Sequence, residues 1–244
     1  MTEQRPDTYT WRARITPAAI TGSPGLAFMV AGGVNLDAKS GILSLLVGAA
    51  GVIAAGVARD AGYRLQPSLW NSWGGSPTVR KLRWRESTNP ALLRRLHDDV
   101  ALVVGNPLPT SEREAQDPAG ADAEYEAAIA VLRQRTGDTK TFNKLFAENM
   151  EYGFRRNCLG LRPTGLVLAA VGVIASLALT IWGVESVATR VLIWGWPGLV
   201  SLAALAFWAR IVTPAWVRRP AETYADRLLE SVHTLKRQGP ANST

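Results

Sequence analysis

The chain has 244 residues, a formal net charge of +7 and one cysteine, Cys158. The single cysteine excludes an intramolecular disulfide, and we expect it to be a small buried or interfacial thiol. The mean hydropathy of +0.03 would ordinarily indicate a soluble protein, but the apolar and charged residues are segregated along the chain.

Four runs without a charged residue lie at 15–36, 40–58, 163–184 and 191–209. Each has about the 20 residues that a helix needs to cross a bilayer. They predict an all-α polytopic membrane protein in which four transmembrane helices form two hairpins, with an α-helical cytoplasmic domain between them. The first run contains Pro17, Pro24, Gly32 and Gly33, so a kinked or re-entrant segment is an alternative to a full span.

Basic residues predict the orientation. They are concentrated in the N-terminal tail, the central block and the C-terminal tail, whereas the turns at 35–39 and 185–190 carry only Lys39 and Arg190. Lysine and arginine near membrane ends are retained in the cytoplasm. We therefore expect a bacterial inner (plasma) membrane protein with both termini cytoplasmic. Six tryptophans near the ends of the runs fit interfacial belts: Trp11, Trp182, Trp194, Trp196, Trp208 and Trp216.

This orientation predicts five segments. They are a cytoplasmic tail (1–14), a first transmembrane hairpin (15–58), a basic helical cytoplasmic domain (59–162), a second hairpin (163–212) and a cytoplasmic amphipathic helix with its tail (213–244).

Small residues recur in the runs at the spacing of helix contacts. They are Ala50 with Ala54 and Ala58, Gly51 with Ala55, and Gly172 with Ser176. They predict tight packing within one chain or between protomers, although a generally alanine- and glycine-rich composition produces the same pattern. The runs contain no ionisable residue, which argues against an ion-coupled transporter.

The first half of the cytoplasmic block is punctuated by glycine and proline. A short amphipathic helix is expected over 67–73, directly after the second span, with Gly74 and Gly75 ending it. Asn89 and Pro90 predict the start of a helix that Gly105 closes. Its predicted buried stripe is Leu92, Leu93, Leu96, Val100 and Val103.

The second half of the block also carries helix-start signals followed by apolar stripes. Thr110 and Ser111 with Glu114 predict a capping box, and Asp117 with Pro118 predicts the next helix start. That helix carries the apolar stripe Tyr125, Ala128, Ile129 and Leu132. A further helix follows Asp138 and leads to a third span that begins at Pro163. Pro220 is expected to open the tail helix, whose apolar face is Tyr224, Leu228, Val232 and Leu235.

A group of arginines, tryptophans and glycines is the predicted binding site: Arg59, Arg64, Trp70, Trp73, Gly74, Gly75, Arg80, Arg83, Trp84 and Arg85. Arginine forks bind phosphate oxygens, and basic residues beside a membrane attract anionic lipid. Anionic headgroups are therefore the expected partner, with a phosphorylated ligand or a protein as alternatives. Nucleic acid is the less favoured partner.

Signatures of catalysis are sparse. His97 with Asp98 and Asp99 suggests a metal site, but a solvated or interfacial histidine is the favoured interpretation. An acidic set is expected to stabilise helix starts, with Mg2+ binding as the alternative: Glu112, Glu114, Asp117, Asp122, Glu124 and Glu126. We therefore assign no catalytic residue, metal ligand or cofactor.

Residues 59–165 resemble a group of bacterial membrane proteins, many of them actinobacterial. The resemblance rests on Trp73-Gly74-Gly75-x-Pro77-Thr78 and on Tyr152-Gly153-Phe154-Arg155-Arg156-Asn157. It implies a shared membrane-plus-cytosolic architecture. No activity is established for that group, so the resemblance transfers no catalytic role.

These observations lead to one main hypothesis. The chain is expected to be a non-enzymatic inner-membrane protein, in which the cytosolic domain senses a ligand or partner and the hairpins assemble laterally or perturb the bilayer. Its architecture is similar to that of membrane effectors in bacterial defence and stress systems. The alternatives are an enzyme acting on a phosphorylated or lipid substrate through His97, Asp98 and Asp99, and a structural subunit of a larger membrane complex.

Overall fold

The chain is all-α, as predicted. In the computed structural model 85% of the protein is helical, and the described residues contain no strand. The structure describes residues 11–33 and 41–238, with the backbone alone over 41–52. The turn predicted at 35–39 lies outside the described residues, and Ala50 and Gly51 lie outside the described side chains.

The α-helices of the described residues are α1 (Thr16–Ala31), α2 (Gly41–Ser72), α3 (Pro77–Arg80), α4 (Pro90–Val104), α5 (Ser111–Gln116), α6 (Pro118–Arg135), α7 (Asn143–Trp182), α8 (Val187–Ala206) and α9 (Pro214–Gln238). Trp84–Glu86 forms a 3-10 turn, and the five-residue segments Trp11–Ile15 and Phe207–Ile211 are π-helical.

Several helix ends are capped as the sequence predicts. The Asn89 side chain accepts a hydrogen bond from the Leu92 amide at 3.1 Å, and the Asp117 side chain accepts one from the Gly120 amide at 2.9 Å. Gly105 ends α4 in the left-handed region, with φ +83°, where an L side chain would be strained. These caps satisfy amides and carbonyls that a helix end leaves without an intrahelical partner.

Three predicted helix starts are wrong. Pro67, Pro163 and Pro220 lie inside α2, α7 and α9 respectively. A proline removes one donor and disturbs one turn, at a cost of about 3 kcal/mol. Each of these helices has buried apolar residues on both sides of its proline, and burial of that face offsets the local cost.

The chain divides into two compact units. We call residues 1–66 and 150–217 the apolar unit, and residues 67–149 and 218–244 the polar unit. Residues 59–66 and 150–162 therefore belong to the apolar unit, whereas the sequence groups them with the cytoplasmic block. The tail helix contributes to the polar unit from Arg218 onward.

Two helices of the chain, Asn143–Trp182 and Val187–Ile211, are long and apolar enough to cross a membrane. Only 22% of the apolar window of each is buried within the protein. The first two runs are helical over Thr16–Ala31 and from Gly41 onward. The helix α1 has 16 residues and directly continues the π-helical segment Trp11–Ile15, and the arrangement of four spans as two hairpins remains a prediction.

In the apolar unit the small side chains lie inside and the large ones outside, the reverse of a soluble protein's core. Small residues face the neighbouring helices: a Cβ atom at Gly172 would lie 2.4 Å from Ser201 Oγ, and one at Gly198 would lie 2.3 Å from Ser176 Oγ. Large aliphatic residues face outward and are 51–77% exposed: Val167, Val171, Ile174, Leu177, Ile181, Val191, Leu192, Leu199 and Leu202. The Gly172–Ser176 pair thus mediates a contact within one chain, as one of the two sequence interpretations proposes.

The predicted tryptophan belt is only partly consistent with the exposures. Trp182 is 78% exposed, but Trp208 is fully buried, so an interfacial position for Trp208 is wrong. Its indole occupies the space that Gly165 leaves, since a Cβ atom there would lie 2.3 Å from the ring. Cys158 is buried as well.

The polar unit has its own hydrophobic core. The predicted stripe of α6 is buried in full, and it packs with Leu228, Val232 and Leu235 of α9 and with residues of α4 and the start of α7. One predicted core residue is wrong, because Leu92 is 64% exposed. It precedes the buried Leu93 by one position, which rotates its side chain by about 100° around the helix axis.

Backbone contact between α2 and α7 generates a stability prediction. A Cβ atom at Gly160 would lie 2.6 Å from the Ala61 carbonyl carbon and 2.6 Å from the Gly62 nitrogen. Gly160→Ala should therefore destabilise the protein by about 1–3 kcal/mol, the usual cost of overpacking, as measured by thermal unfolding in detergent. Gly56→Ala is the matched control, since its Cβ would meet no atom within 4 Å. It should be neutral or stabilising by up to about 1 kcal/mol, and equal Tm values for the two variants would contradict the contact.

A buried ion-pair network beside a cavity in the polar unit

The centre of the polar unit's network is the carboxylate of Glu114, which is only 2% exposed. It accepts hydrogen bonds from the Trp84 amide (2.9 Å), the Arg85 amide (3.0 Å), the Tyr125 hydroxyl (2.7 Å) and the Arg85 guanidinium (3.1 Å). Glu114 thus fixes the 3-10 turn against α6. The predicted capping box is right about Thr110, whose hydroxyl accepts from the Arg113 amide, but Glu114 belongs to this tertiary network instead.

These hydrogen bonds keep Glu114 ionised. Burial opposes ionisation, but the donors from Arg85, Tyr125 and Trp84 hold the pKa of Glu114 below its ordinary value. Burial and the bond to the Glu114 carboxylate together raise the pKa of Tyr125. The pair therefore consists of a carboxylate and a neutral phenol at neutral pH.

Arg83 is the buried cation of the network, 7% exposed. Its Nε and Nη2 atoms donate to both oxygens of Asp122 at 2.8 and 2.7 Å, and Nη1 donates to Glu86 at 2.7 Å and to the Gly74 carbonyl at 2.6 Å. Such a bidentate pair fixes direction as well as charge. Arg85 also donates to Asp122, at 2.9 and 3.0 Å.

The double glycine makes room for this guanidinium. Gly74 and Gly75 have φ values of +82° and +128°, and a Cβ atom at residue 75 would lie 2.6 Å from Arg83 Nη2. The Trp-Gly-Gly-x-Pro-Thr element therefore has a structural role here. It turns the chain tightly after α2 and lets the backbone approach Arg83.

The structure divides the predicted binding residues between the two units. Arg59 and Arg64 are exposed residues of the apolar unit, and the others belong to the polar unit. Of these, Trp73 is 8% exposed, Trp70 is half-buried, and Arg80 pairs with Glu86 at 2.7 Å. Three predicted phosphate or lipid ligands, Arg80, Arg83 and Arg85, therefore have carboxylate partners within the polar unit.

These partners are not apparent from the sequence. Glu114 and Asp122 belong to the acidic set that is expected at helix starts, and they lie about 30 and 40 residues along the chain from their arginines. The one signal in the sequence is that residues 67–149 carry 11 acidic and 11 basic residues, which allows internal pairing. Which carboxylate meets which arginine depends on the packing of α6.

A cavity of about 350 Å3 lies beside the network. It is lined by Trp84, Arg94, His97, Asp98, Ala101, Pro107, Leu108, Pro109, Thr110, Ser111 and Glu112. The Trp84 indole donates to the Pro109 carbonyl at 2.8 Å and meets the His97 ring edge-on, with centroids 4.8 Å apart. The Trp84 side chain is thus held in the cavity wall by one hydrogen bond and one ring contact.

His97 is a buried wall of this cavity. Its Nε2 atom lies 2.8 Å from the Leu82 carbonyl, and a carbonyl oxygen only accepts, so Nε2 carries the proton. Burial lowers the pKa of His97 below its ordinary value, which keeps the ring neutral at pH 7. This placement differs from the solvated or interfacial histidine that the sequence favours.

The side chains of the suggested His97–Asp98–Asp99 site do not point to one common position. Asp98 lines the cavity with His97, whereas Asp99 forms an ion pair with Lys236 of α9 and lies 3.7 Å from His233 Nδ1 of the same helix. No group of three or more His, Cys, Asp or Glu side chains suited to a metal ion occurs among the described residues.

The Tyr152–Asn157 motif lies in the apolar unit. Asn157 Nδ2 donates to the Ala13 carbonyl at 2.7 Å, and Arg155 donates to Glu151 at 2.7 Å and to the Trp216 carbonyl at 3.1 Å. The motif therefore ties α7 to the segment before α1 and to the start of α9.

No protein-family model, curated protein or solved structure matches this chain. Its function is accordingly proposed from the residues and contacts described above.

The network predicts a pH-dependent loss of stability through Glu114. Because its folded pKa lies below the ordinary 4.5, its contribution is complete above about pH 4.5 and is lost as the pH falls through the depressed value. Glu114→Gln should lower the free energy of unfolding by about 3 kcal/mol at pH 7. It should also flatten the decline in the free energy of unfolding below pH 4.5. Urea titrations at a series of pH values across pH 3–7 would measure both effects.

The control for this prediction is Glu126→Gln, an exposed carboxylate on the neighbouring helix α6. It should leave both the free energy of unfolding and its pH dependence unchanged. If Glu114→Gln behaved like Glu126→Gln, the buried carboxylate would not be the centre of the network.

Proposed function

We propose that this chain is a bacterial inner-membrane protein that crosses the bilayer four times and holds both termini and the polar unit in the cytoplasm. In this proposal the polar unit acts by binding a ligand or partner, and the protein is not an enzyme. The observation that carries the binding role is the cavity beside Trp84 and His97, of which the buried network holds one wall residue, Trp84.

The membrane placement is supported by the positions of large and small side chains on α7 and α8. The core helix of a soluble protein buries its large apolar side chains, whereas these two helices expose them and pack through glycine, alanine and serine. In lipid, apolar side chains gain nothing by leaving the tails, so close packing of small residues determines helix contacts. An apolar surface of this extent is rare on a soluble monomer.

The orientation is supported by the distribution of basic residues. The short connection after α7 carries the exposed Val184, and the one basic residue close to it is Arg190 in the first turn of α8. The Arg190 guanidinium donates to the Ile181 carbonyl near the end of α7. Arg59 and Arg64, exposed at the other end, are in position for anionic headgroups of the inner leaflet under this orientation.

The binding role is supported by the size and rigidity of the cavity. About 350 Å3 lies within the range of small-molecule sites, roughly 300–1,000 Å3. Apolar walls from Trp84, Pro107 and Leu108 are combined with the charges of Arg94, Asp98 and Glu112. A pre-formed site of this kind loses little conformational freedom when it binds.

A second candidate function is catalysis on a phosphorylated or lipid substrate. It is favoured by one observation, the presence of His97 and Asp98 in the same cavity as Arg94. Asp99 is engaged with α9, and His97 already donates its Nε2 proton to Leu82. Binding therefore explains the cavity with fewer additional assumptions than catalysis does.

The topology can be tested by cysteine labelling. Cys158 is fully buried, so Cys158→Ala provides a cysteine-free background. Single cysteines are then introduced as Val184→Cys, at a 99% exposed hairpin position, and Leu102→Cys, at a 71% exposed position of the polar unit. An impermeant maleimide should label Val184→Cys in intact spheroplasts and Leu102→Cys only after lysis, because the bilayer separates the two.

Two results would contradict this topology. One is labelling of Leu102→Cys in intact spheroplasts. The other is recovery of the wild-type chain in the soluble fraction after carbonate extraction, which releases proteins held only at the membrane surface.

Lateral assembly of the hairpins is a separate part of the proposal. The outward faces of α7 and α8 offer a continuous apolar surface to lipid or to a second copy. The mass of the purified protein in mild detergent should exceed that of one 26.3 kDa chain after subtraction of bound detergent, as measured by light scattering. A strict monomer without any co-purifying partner would rule out an effector that acts by lateral assembly. Ligand binding by the polar unit of a membrane-anchored protein would be unaffected by that result.

A further inference from the structure

Arg156 of the apolar unit is a buried cation, 4% exposed. It forms no ion pair with any described carboxylate; the nearby Glu151 is engaged by Arg155 at 2.7 Å. Its Nη1 atom donates to Gln66 Oε1, and Nη2 lies 3.4 Å from Asn157 Oδ1. Its buried Nε has no hydrogen-bond partner among the described atoms.

A buried guanidinium without a carboxylate partner lacks a compensating charge. Buried charges in proteins are normally paired, because removal of an ion from water is costly. The Tyr63 ring gives partial compensation, with Arg156 Cζ 3.9 Å from its centroid, and the Tyr152 ring lies at 5.5 Å. Cation–π contacts and amide oxygens stabilise the charge but do not neutralise it.

The Tyr63 ring connects this buried guanidinium to a partly exposed surface. The Tyr63 side chain is 45% exposed, and the Cζ atom of the exposed Arg59 lies 5.4 Å from the centroid of the same ring. Burial opposes ionisation of Tyr63, yet the two guanidinium groups hold its pKa below the ordinary value. Two cations around one partly exposed phenol create a strongly positive local field.

We propose that Arg59 and Tyr63, with the buried charge of Arg156 against the Tyr63 ring, bind a phosphate-class oxyanion. Guanidinium groups match the geometry of phosphate oxygens and donate to them in pairs. The exposed guanidinium of Arg59 provides donors, the Tyr63 hydroxyl can add another, and the unpaired charge of Arg156 increases the positive potential at the site. The oxyanion is either the phosphodiester of an anionic lipid headgroup or free phosphate. This site is in the apolar unit and is independent of the cavity beside Trp84.

The test uses the full chain in a neutral detergent and measures the thermal midpoint against three probes. The probes are phosphatidylglycerol, inorganic phosphate compared with chloride at equal ionic strength, and diacylglycerol, which has the acyl chains without the phosphate. Phosphatidylglycerol or phosphate should raise the Tm of the wild type, and diacylglycerol should not. Arg156→Gln and Arg59→Gln should each weaken the fitted affinity roughly five- to tenfold, as expected for loss of one basic contact.

Arg133→Gln is the control, since Arg133 is an exposed arginine of the polar unit and is no part of the proposed site. It should retain the affinity of the wild type. A response to phosphatidylglycerol alone identifies the lipid headgroup, and a response to both anions identifies a general oxyanion site. The proposal is overturned if neither anion raises the Tm, or if Arg59→Gln and Arg133→Gln lose equal affinity. Arg59→Gln decides the outcome even if Arg156→Gln fails to fold, because Arg59 is exposed.

Discussion

Glycine sets the distance between the helices of the apolar unit, and the other contacts of that unit depend on this distance. Gly160 lets α7 approach the backbone of α2 at Ala61, and Gly165 leaves the space that the Trp208 indole fills. With the interior occupied by small residues, the large aliphatic side chains of α7 and α8 have only outward positions available. The apolar exterior that supports membrane insertion is thus a consequence of how tightly the backbones pack.

In the polar unit, charge pairing has the corresponding role. Glu114 and Asp122 gather Arg83, Arg85 and the Trp84 amide into one network between a turn and two helices. Each member is satisfied by at least one partner of opposite charge or by a backbone group, so the network can be buried without a large penalty. It also holds Trp84 in the wall of the cavity, which links the stability of this unit to its proposed binding role.

Arg156 of the apolar unit differs from the paired arginines of the polar unit. In the polar unit Arg80, Arg83 and Arg85 have carboxylates close by, so their positive charge is largely compensated. In the apolar unit Arg156 has rings and amides for neighbours. A count of basic residues along the chain treats these arginines alike, although only an uncompensated guanidinium attracts an external anion strongly. Anion binding is therefore better sought at Arg156 and Arg59 than across the whole basic segment.

The sequence by itself determined the helical class, the caps at Asn89, Asp117 and Gly105, and the core stripes of α6 and α9, because these follow from local backbone chemistry and from periodicity along one helix. It did not determine that α2, α7 and α9 continue through Pro67, Pro163 and Pro220, since continuation depends on burial further along each helix. Nor did it determine the partners of Arg83 or the isolation of Arg156. Such pairings join residues tens of positions apart, and only tertiary packing decides which side chains meet.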